Sequence, residues 1–198
     1  GTTNLIVFED GEVQHVAVLP IGGQHITNDL AIGLKTDIDV AEKVKLEHAN
    51  LKHDHKKTSA TVRIGTKSHN FDFDEIVMVT EARVDELLDY VSKELQKIKR
   101  AGKLPGGVVL TGGTSNLPGL DEFALAKLQL PPRVGRLTGV GGLVDTVEGQ
   151  SYITVVGLML LDMLLLPSLP EQHERGGVGK GAANARAILD GFLGRFRK

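Results

Sequence analysis

Two short segments rich in glycine and threonine carry residue types that can hold a phosphorylated ligand. The first follows an apolar strand predicted at 108–110 and precedes a helix predicted to start near residue 120. Its candidate binding residues are Gly112, Gly113, Thr114 and Asn116. A ligand can approach backbone closely at a glycine pair, and N–H groups at a helix start favour anions. Glycine pairs are also common in plain turns, so this segment alone leaves both interpretations open.

The second segment opens the chain, directly before the apolar run Leu5–Phe8. Its candidate residues are Gly1, Thr2, Thr3 and Asn4. Their hydroxyl, amide and backbone N–H groups can hold phosphate oxygens or a hydrated magnesium ion. A plain hairpin end with solvated threonines accounts for the same residues.

Two further positions could contact a nucleoside or phosphate group. Gly22 and Gly23 precede a helix predicted at 24–34, where glycine permits close approach of a ligand, although a simple strand-to-helix connection also explains them. A second helix is predicted to open within Thr36–Asp39. The spacing of Asp39 and Glu42 predicts a capping box at its start.

A metal site is suggested by the alternation His53-Asp54-His55. Ligands that alternate along an extended stretch can converge on one ion. Two lysines, Lys56 and Lys57, follow at once and would repel a cation. We therefore predict a polar loop here and no metal site.

The overall composition indicates an ordinary globular protein. Hydrophobic residues make up 41% of the 198-residue chain, charged residues 24%, and the net charge is −2, which gives no electrostatic case for nucleic-acid binding. There is no cysteine and the N-terminus does not resemble a signal peptide. The richest apolar run, 152–166, is shorter than the roughly 20 residues that span a bilayer. We interpret it as a buried core helix.

The remaining elements are predicted from periodicity and turn signals. An Asp-Gly hairpin joins strands at 5–8 and 13–19. The clearest helix is predicted at 81–99, ended by Gly102 and Pro105. Between the hairpin and this helix we predict a strand at 60–64, with Thr61 and Arg63 pointing outward, and extended segments at Phe71, Phe73 and 76–79. After it we predict a helix at 120–128, a strand at 133–137 and a flexible segment at 139–142. An apolar helix at 151–166 is predicted to close the core.

The C-terminal segment differs in composition from the rest. Glycines among charged residues at 171–183 predict a linker. Beyond it, an apolar helical stripe is flanked by cations. The stripe comprises Ile188, Leu189, Phe192, Leu193 and Phe196, and the cations include Arg195, Arg197 and Lys198. The pattern fits a helix lying in the plane of a membrane surface and equally a helix docked on the protein's own core.

Three stretches together resemble the second half of an actin-like ATPase, and within that superfamily the FtsA family of bacterial cell-division proteins. They are GTTNLIVFEDGEV at 1–13, LPIGGQHITNDLAIGLKTDIDVAEKVK at 19–45 and VVLTGGTSNLPGL at 108–120. The resemblance covers nearly the whole chain, including the tail.

The resemblance implies an α/β fold. Residues 1–35 and 105–168 would form actin-like (ribonuclease H-like) subdomain 2A, with an inserted α+β subdomain 2B at 36–104. A flexible linker at 169–182 and an amphipathic membrane-targeting helix at 183–198 would follow. The glycine and threonine segments would bind ATP with Mg²⁺, and Glu42 and Lys45 would flank the adenosine, a role that competes with helix capping for the Glu42 carboxylate.

The resemblance also implies that the chain is incomplete. The family's phosphate loop runs Asp-x-Gly-Gly-x-Thr-Thr-Asn, and only its end is present at 1–4. We expect the N-terminal half, with the groups that polarise the attacking water, to be absent. This chain alone should then have an incomplete site and bind ATP no tighter than about 1 μM. The full-length protein would be at most a weak ATPase.

The implied partners belong to the division machinery. Subdomain 2B would bind the C-terminal peptide of FtsZ, with Arg83 at the position of a peptide-contacting arginine. An exposed arginine at a helix start needs a compensating anion, which the acidic peptide or the nearby Glu81 or Asp85 could supply. The other implied partners are further copies in an actin-like filament, late division proteins and lipids. The protein would lie peripherally on the cytoplasmic face of the cell membrane at the division septum.

An alternative is another actin-like ATPase: a protein similar to MreB or PilM, or one of the DnaK or sugar-kinase type. These share the phosphate loops and the Gly-Gly turn. The linker with its amphipathic helix, and the small insertion, favour the FtsA family, because a kinase or chaperone needs neither.

Overall fold

The computed structural model of the protein describes residues 1–52, 57–136 and 150–165. Within those ranges the chain alternates strands and helices. In chain order the elements are β1 (Thr3–Glu9), β2 (Glu12–Leu19), α1 (Gly23–Gly33), α2 (Ile38–His48), β3 (Ser59–Ile64), β4 (Lys67–Asp72), α3 (Phe73–Lys97), β5 (Val108–Leu110), α4 (Leu120–Leu128), β6 (Pro132–Val134) and α5 (Ile153–Leu165). Short 3-10 turns occupy Gly113–Asn116 and Gln150–Tyr152.

The hairpin of β1 and β2 forms where the Asp-Gly pair predicts it. Asp10 and Gly11 have φ angles of 54° and 80°, positive values that a tight hairpin turn of this kind requires. On the inner face Val7 is buried, whereas Ile6 and Val16, which pair across the strands, are exposed. One face of the hairpin therefore packs on the core.

Two further sheets of two strands each are present in the described ranges. β3 and β4 pair antiparallel, and Thr61 and Arg63 point outward as predicted. β5 and β6 pair in parallel, connected through α4. The strand predicted at 133–137 is Pro132–Val134 in the structure.

The core is organised around α3, a helix of 25 residues that contacts α1, α2 and α4. Its buried side chains lie on one stripe, and the buried residues of α1 and α2 pack in the same cluster. Among the most deeply buried large residues are Ile26 and Leu30 of α1, Val44 of α2, and Phe73, Ile76 and Val84 of α3. Each contributes roughly 1.5–3 kcal/mol when buried.

The prediction of extended segments at Phe73 and 76–79 is wrong, because these residues form the first turns of α3. Asp72 caps the helix: its Oδ1 accepts hydrogen bonds from the backbone N–H of Asp74 at 2.8 Å and of Glu75 at 3.4 Å. The burial of Phe73, Ile76, Val77, Thr80 and Val84 follows the helical period. Packing of that stripe overrides the β-propensity of its branched residues.

The prediction that the apolar helix at 151–166 is a buried core element is also wrong. The helix forms as α5, but of its residues 153–163, whose burial is described, only Ile153, Val156 and Leu160 are half-buried. Leu158 and Met159 are 62% and 61% exposed. An apolar helix without a polar face needs cover on several sides, and within the described chain α5 is covered along one narrow stripe.

Several predictions concern residues outside the described ranges. They are the His53–His55 loop, the flexible segment at 139–142, the linker at 169–182 and the helix at 183–198 with its membrane-facing residues. Within the ranges that are described, no helix combines the length and apolar character needed to cross a membrane.

Candidate functional site

A cavity of about 700 Å³ lies where the N-terminal strand, the start of α1, helix α2 and the turn after β5 meet. Every residue predicted from the sequence to bind a nucleotide lines this cavity except Gly22. Apolar side chains of Ile26, Val84 and Leu88 also line it. A mainly apolar cleft with a few convergent polar groups is the usual form of a small-molecule site.

The N-terminal segment and the turn before α1 are in direct contact. The Thr3 hydroxyl donates a hydrogen bond to the carbonyl of Ile21 at 2.8 Å. A Cβ atom added to Gly22 would lie 3.1 Å from the Thr2 carbonyl oxygen, which is tighter than usual packing. Gly22 thus lies behind the cavity wall, where it lets residues 1–3 pack against the turn.

The start of α1 faces the turn that follows β5. A Cβ atom added to Gly23 would lie 2.7 Å from Thr114 Oγ1, so only glycine fits without displacement. Gly112 has a φ of 90°, and Ser115 Oγ donates to its carbonyl at 2.7 Å, which closes the 3-10 turn. Segments about ninety residues apart in the sequence therefore share one wall of the cavity.

The first turn of α1 keeps polar backbone groups near the cavity. The Gly22 N–H donates to Nδ1 of His25 at 3.1 Å, and no side-chain hydrogen bond caps the helix from Gly22. The N–H groups at a helix start carry partial positive charge and attract anions. This end of α1 can contribute to holding a phosphate.

A hydrogen-bonded triangle joins α1 to α2 beside the cavity. Lys45 Nζ lies 2.6 Å from Glu42 Oε2 and 2.8 Å from Thr27 Oγ1, and Thr27 Oγ1 lies 2.5 Å from Glu42 Oε2. Lys45 also reaches the carbonyl of Gly23 at 3.4 Å. Glu42 and Lys45 both line the cavity, and Thr27 is fully buried behind them.

The predicted capping box of Asp39 and Glu42 is wrong. The residue that precedes the helix is Asp37, and Asp39 already lies in its first turn. The Glu42 carboxylate points to Lys45 and Thr27. Partial burial alone would raise the pKa of Glu42, but hydrogen bonds from Lys45 and Thr27 and the Lys45 charge together lower it. Glu42 therefore stays ionised beside the cavity.

Thr27 is a polar residue of the site that the sequence does not single out. A threonine inside an amphipathic helix is unremarkable, since Ile26 and Leu30 explain the burial of that face. The one available signal was its place four residues after Gly23, which puts it one helical turn below the glycine pair.

Arg83 is not at a helix start, because α3 begins at Phe73. Its guanidinium binds both oxygens of Asp29 on α1, with Nη2 2.8 Å from Oδ1, and it also contacts Glu86. The hydrogen bond to Asp29 is the main cause that raises the pKa of Arg83. The helix-dipole argument for an anionic ligand is therefore wrong, and a peptide would have to share Arg83 with these two carboxylates.

The chemical character of the cavity is that of a binding cleft. It offers a lysine ammonium, threonine hydroxyls and backbone N–H groups as donors, and the Glu42 carboxylate as an acceptor. In the described part of the chain, no group of three His, Cys, Asp or Glu residues is suited to hold a metal ion. The donor set fits a ligand that combines anionic groups with hydroxyl or amino groups.

The amino-acid sequence matches one family over most of its length. The profile of the family described as "Cell division protein FtsA" matches residues 1–157. "Cell division protein FtsA" of Pseudomonas aeruginosa is 34% identical over 164 residues, which cover 81% of this chain and 39% of that protein. The Bacillus subtilis protein of the same name is 36% identical over 163 residues, covering 80% of this chain and 36% of that one.

The protein of the same name from Neisseria meningitidis serogroup B aligns with the whole chain, at 32% identity over 203 residues and 48% of its own length. The chain thus spans less than half the length of these curated relatives. Among solved structures, MreB5 of Spiroplasma citri bound to ADP superposes with a TM-score of 0.59 at 20% identity, over 82% of this chain and 53% of that one. The shared fold confirms the predicted actin-like α/β class.

Proposed function

The chain belongs to the FtsA family of cell division proteins, and we propose that it forms one wall of a cleft that binds ATP with Mg²⁺. One observation carries the proposal: a single cavity is lined by residues from segments far apart in the sequence. They are Gly1–Asn4, Gly23, Glu42, Lys45 and Gly112–Asn116. Solved MreB5 structures of the same fold were bound to ADP and to AMPPNP.

The chemistry of the cavity supports this ligand. Threonine hydroxyls and backbone N–H groups suit phosphate oxygens, and the Glu42–Lys45 pair offers an acceptor and a cation to the nucleoside end. Mg²⁺ keeps several of its water molecules and is bound through few protein oxygens. The threonine hydroxyls of the cavity would suit an ion that keeps its water shell, while Glu42 would serve the nucleoside end.

We propose a division of the chain into an ATP-binding part and a partner-binding part. Residues 1–35 and 105–168 would form subdomain 2A, and residues 36–104, with α2, β3, β4 and α3, would form the inserted subdomain 2B. Subdomain 2B would bind the acidic C-terminal peptide of FtsZ, with Arg83 among the contacts. Arg83 is about a quarter exposed, so a carboxylate can reach it in exchange for the helical contact to Glu86.

The same proposal assigns the tail to the membrane. A linker at 169–182 and an amphipathic helix at 183–198 would attach the protein to the cytoplasmic membrane at the septum. The alignment of one family relative with the whole chain supports the tail as part of the family sequence. The whole protein would thereby tether FtsZ filaments, assemble as an actin-like filament and recruit late division proteins.

A sedimentation experiment on anionic liposomes tests the tether. The chain is compared with a version that lacks residues 183–198 and with a Phe192→Ser/Phe196→Ser variant that keeps the charges. An FtsZ C-terminal peptide is added to each, and also to an Arg83→Ala variant. We expect the intact chain to pellet with vesicles and peptide, the two tail variants to stay in solution, and Arg83→Ala to pellet without the peptide.

Either of two results would overturn the tether. If the tail variants pellet as well as the intact chain, the terminal helix is not the anchor. If the peptide stays in solution with every form of the protein, the insertion does not bind FtsZ. Nucleotide binding is tested separately, by following backbone amide NMR signals during titration with Mg-ATP to millimolar concentration; signals of residues 1–4, 22–27 and 111–116 should move first.

A further inference from the structure

Thr27 has a hydroxyl that is fully buried and nevertheless contacts two charged groups. Its Oγ1 lies 2.5 Å from a carboxylate oxygen of Glu42 and 2.8 Å from the ammonium of Lys45. Both charged residues are on α2, whereas Thr27 is on α1. The hydroxyl is therefore the side-chain link between the two helices at this edge of the cavity.

The chemistry of the three groups fixes the direction of each hydrogen bond. An ammonium can only donate and a carboxylate can only accept, so a Thr27 lone pair accepts from Lys45. The single Thr27 proton goes to Glu42 at 2.5 Å, since the Gly23 carbonyl, its other acceptor, is farther away at 3.4 Å. The three N–H donors of Lys45 are directed to Glu42, Thr27 and the Gly23 carbonyl. A hydroxyl is a neutral group that provides both a donor and an acceptor at one atom.

One oxygen of Glu42 is left for a ligand. Oε2 accepts from both Thr27 and Lys45, and Oε1 makes no hydrogen bond to the part of the chain that the structure describes. The Glu42 side chain is 41% exposed and lines the cavity, and Thr27 does not line it. Whatever fixes Oε2 also fixes the direction in which Oε1 faces the cavity.

We propose that Thr27 is a positioning residue, whose buried hydroxyl holds the Glu42–Lys45 pair in the orientation that receives the nucleoside part of the ligand. This inference rests on the proposed nucleotide function, which it extends to a residue that does not touch the cavity. Without the hydroxyl, two long side chains regain rotamer freedom that ligand binding must then restrict.

Two substitutions separate positioning from packing. Thr27→Val keeps the volume and removes the hydrogen bonds to Glu42 and Lys45, together with the longer contact to the Gly23 carbonyl, and Thr27→Ser keeps the hydroxyl. Thr80→Val is the matched control, because Thr80 is equally buried in α3 and its hydroxyl has no hydrogen-bond partner in the described residues. Two quantities are measured for each: the Mg-ATP affinity by amide NMR titration, and the titration of the Glu42 carboxyl by carbon-13 NMR.

We expect Thr27→Val to weaken Mg-ATP binding about tenfold, the usual effect of losing a hydrogen bond to a charged group. The pKa of Glu42 should rise, because a donor that favours its ionised form is gone. Thr27→Ser should restore both quantities, and Thr80→Val should leave both unchanged. Thermal melting verifies that each variant is folded, and Thr27→Cys, a weak donor of similar size, replaces the valine variant if that one is unfolded.

The two proposals fail in distinguishable ways. If the unmodified chain shows no Mg-ATP-dependent change, nucleotide binding by this chain is refuted, and the Glu42 titration alone decides the role of Thr27. If Thr27→Val leaves the Glu42 pKa as it was, Thr27 does not hold the pair and the inference is overturned. If the pKa rises but ATP affinity is unchanged, Thr27 organises the pair without serving the ligand, which also overturns it.

Discussion

The contact between Gly23 and Thr114 gives the sharpest test of how the cavity is built. Replacing Gly23 by alanine places a Cβ atom 2.7 Å from Thr114 Oγ1, whereas ordinary contact begins at 3.4 Å. The shortfall is 3.4 − 2.7 = 0.7 Å. Thr114 lies in a tight 3-10 turn, so either its side chain rotates or the turn moves.

Two opposing effects set the magnitude. Alanine favours the helix by up to about 1 kcal/mol relative to glycine, and Gly23 opens α1 with a backbone that alanine tolerates. Overpacking of a well-fitted contact costs about 1–3 kcal/mol. The steric cost outweighs the helix preference, so we expect Gly23→Ala to lower the free energy of unfolding by about 1–2 kcal/mol. Gly157→Ala is the control, because a Cβ atom there meets nothing within 4 Å.

The assay is urea unfolding followed by circular dichroism, in a cycle with Thr114→Ala. The second substitution removes the hydroxyl that the new methyl group meets, so the double variant should recover most of the loss. The coupling between the two sites should be about 1–2 kcal/mol. If Gly23→Ala is as stable as the unmodified chain and the two changes are additive, α1 does not pack on the turn after β5, and the cavity described above is refuted.

Two further outcomes follow from burial and charge. Leu30→Ala should lower the free energy of unfolding by about 2–5 kcal/mol because Leu30 is fully buried. Ile32 on the same helix is 75% exposed, so Ile32→Ala should change that free energy by no more than about 0.5 kcal/mol. Equal losses for the two variants in urea unfolding would contradict the packing of α1. Hydrogen bonds from Lys97 and His15 lower the pKa of Glu94, so its contribution to stability is present above the unfolded-state pKa and is lost as pH falls through the lower folded-state pKa. Glu94→Gln should flatten the acid side of the stability profile, and profiles that stay parallel into the acid range would contradict the pairing.

Much of the candidate site could be predicted because each segment has its own local chemistry. Glycine pairs and threonines mark the places where backbone approaches closely, and the turn at Gly112 does require a positive φ. Spacing along the chain does not say which segments meet. The expectation that these segments share one site came from the resemblance to the FtsA family. In the structure, Gly23 lies against Thr114 and Thr3 contacts Ile21.

Local chemistry fails where a residue's role depends on a distant partner. Glu42 has the spacing of a helix cap, but Thr27 on another helix and Lys45 offer it stronger hydrogen bonds. Arg83 likewise binds Asp29, which lies 54 positions away in the sequence. A single sequence contains the donors and acceptors of such pairs but does not indicate which of them become neighbours.

The exposed apolar surface of α5 shows a different limit of sequence reasoning. An apolar run indicates how much of a helix's surface has to be removed from contact with water. The residues that cover this surface lie elsewhere, and the run does not identify them. The same holds for the outer face of the first hairpin, where Val16 and Val18 are 62% and 66% exposed. Leu19, at the end of the same strand, is buried. An alternating pattern predicts an exposed face only when the outward residues are polar. Because the outward face of β2 also carries valines, contacts rather than composition decide which face is covered.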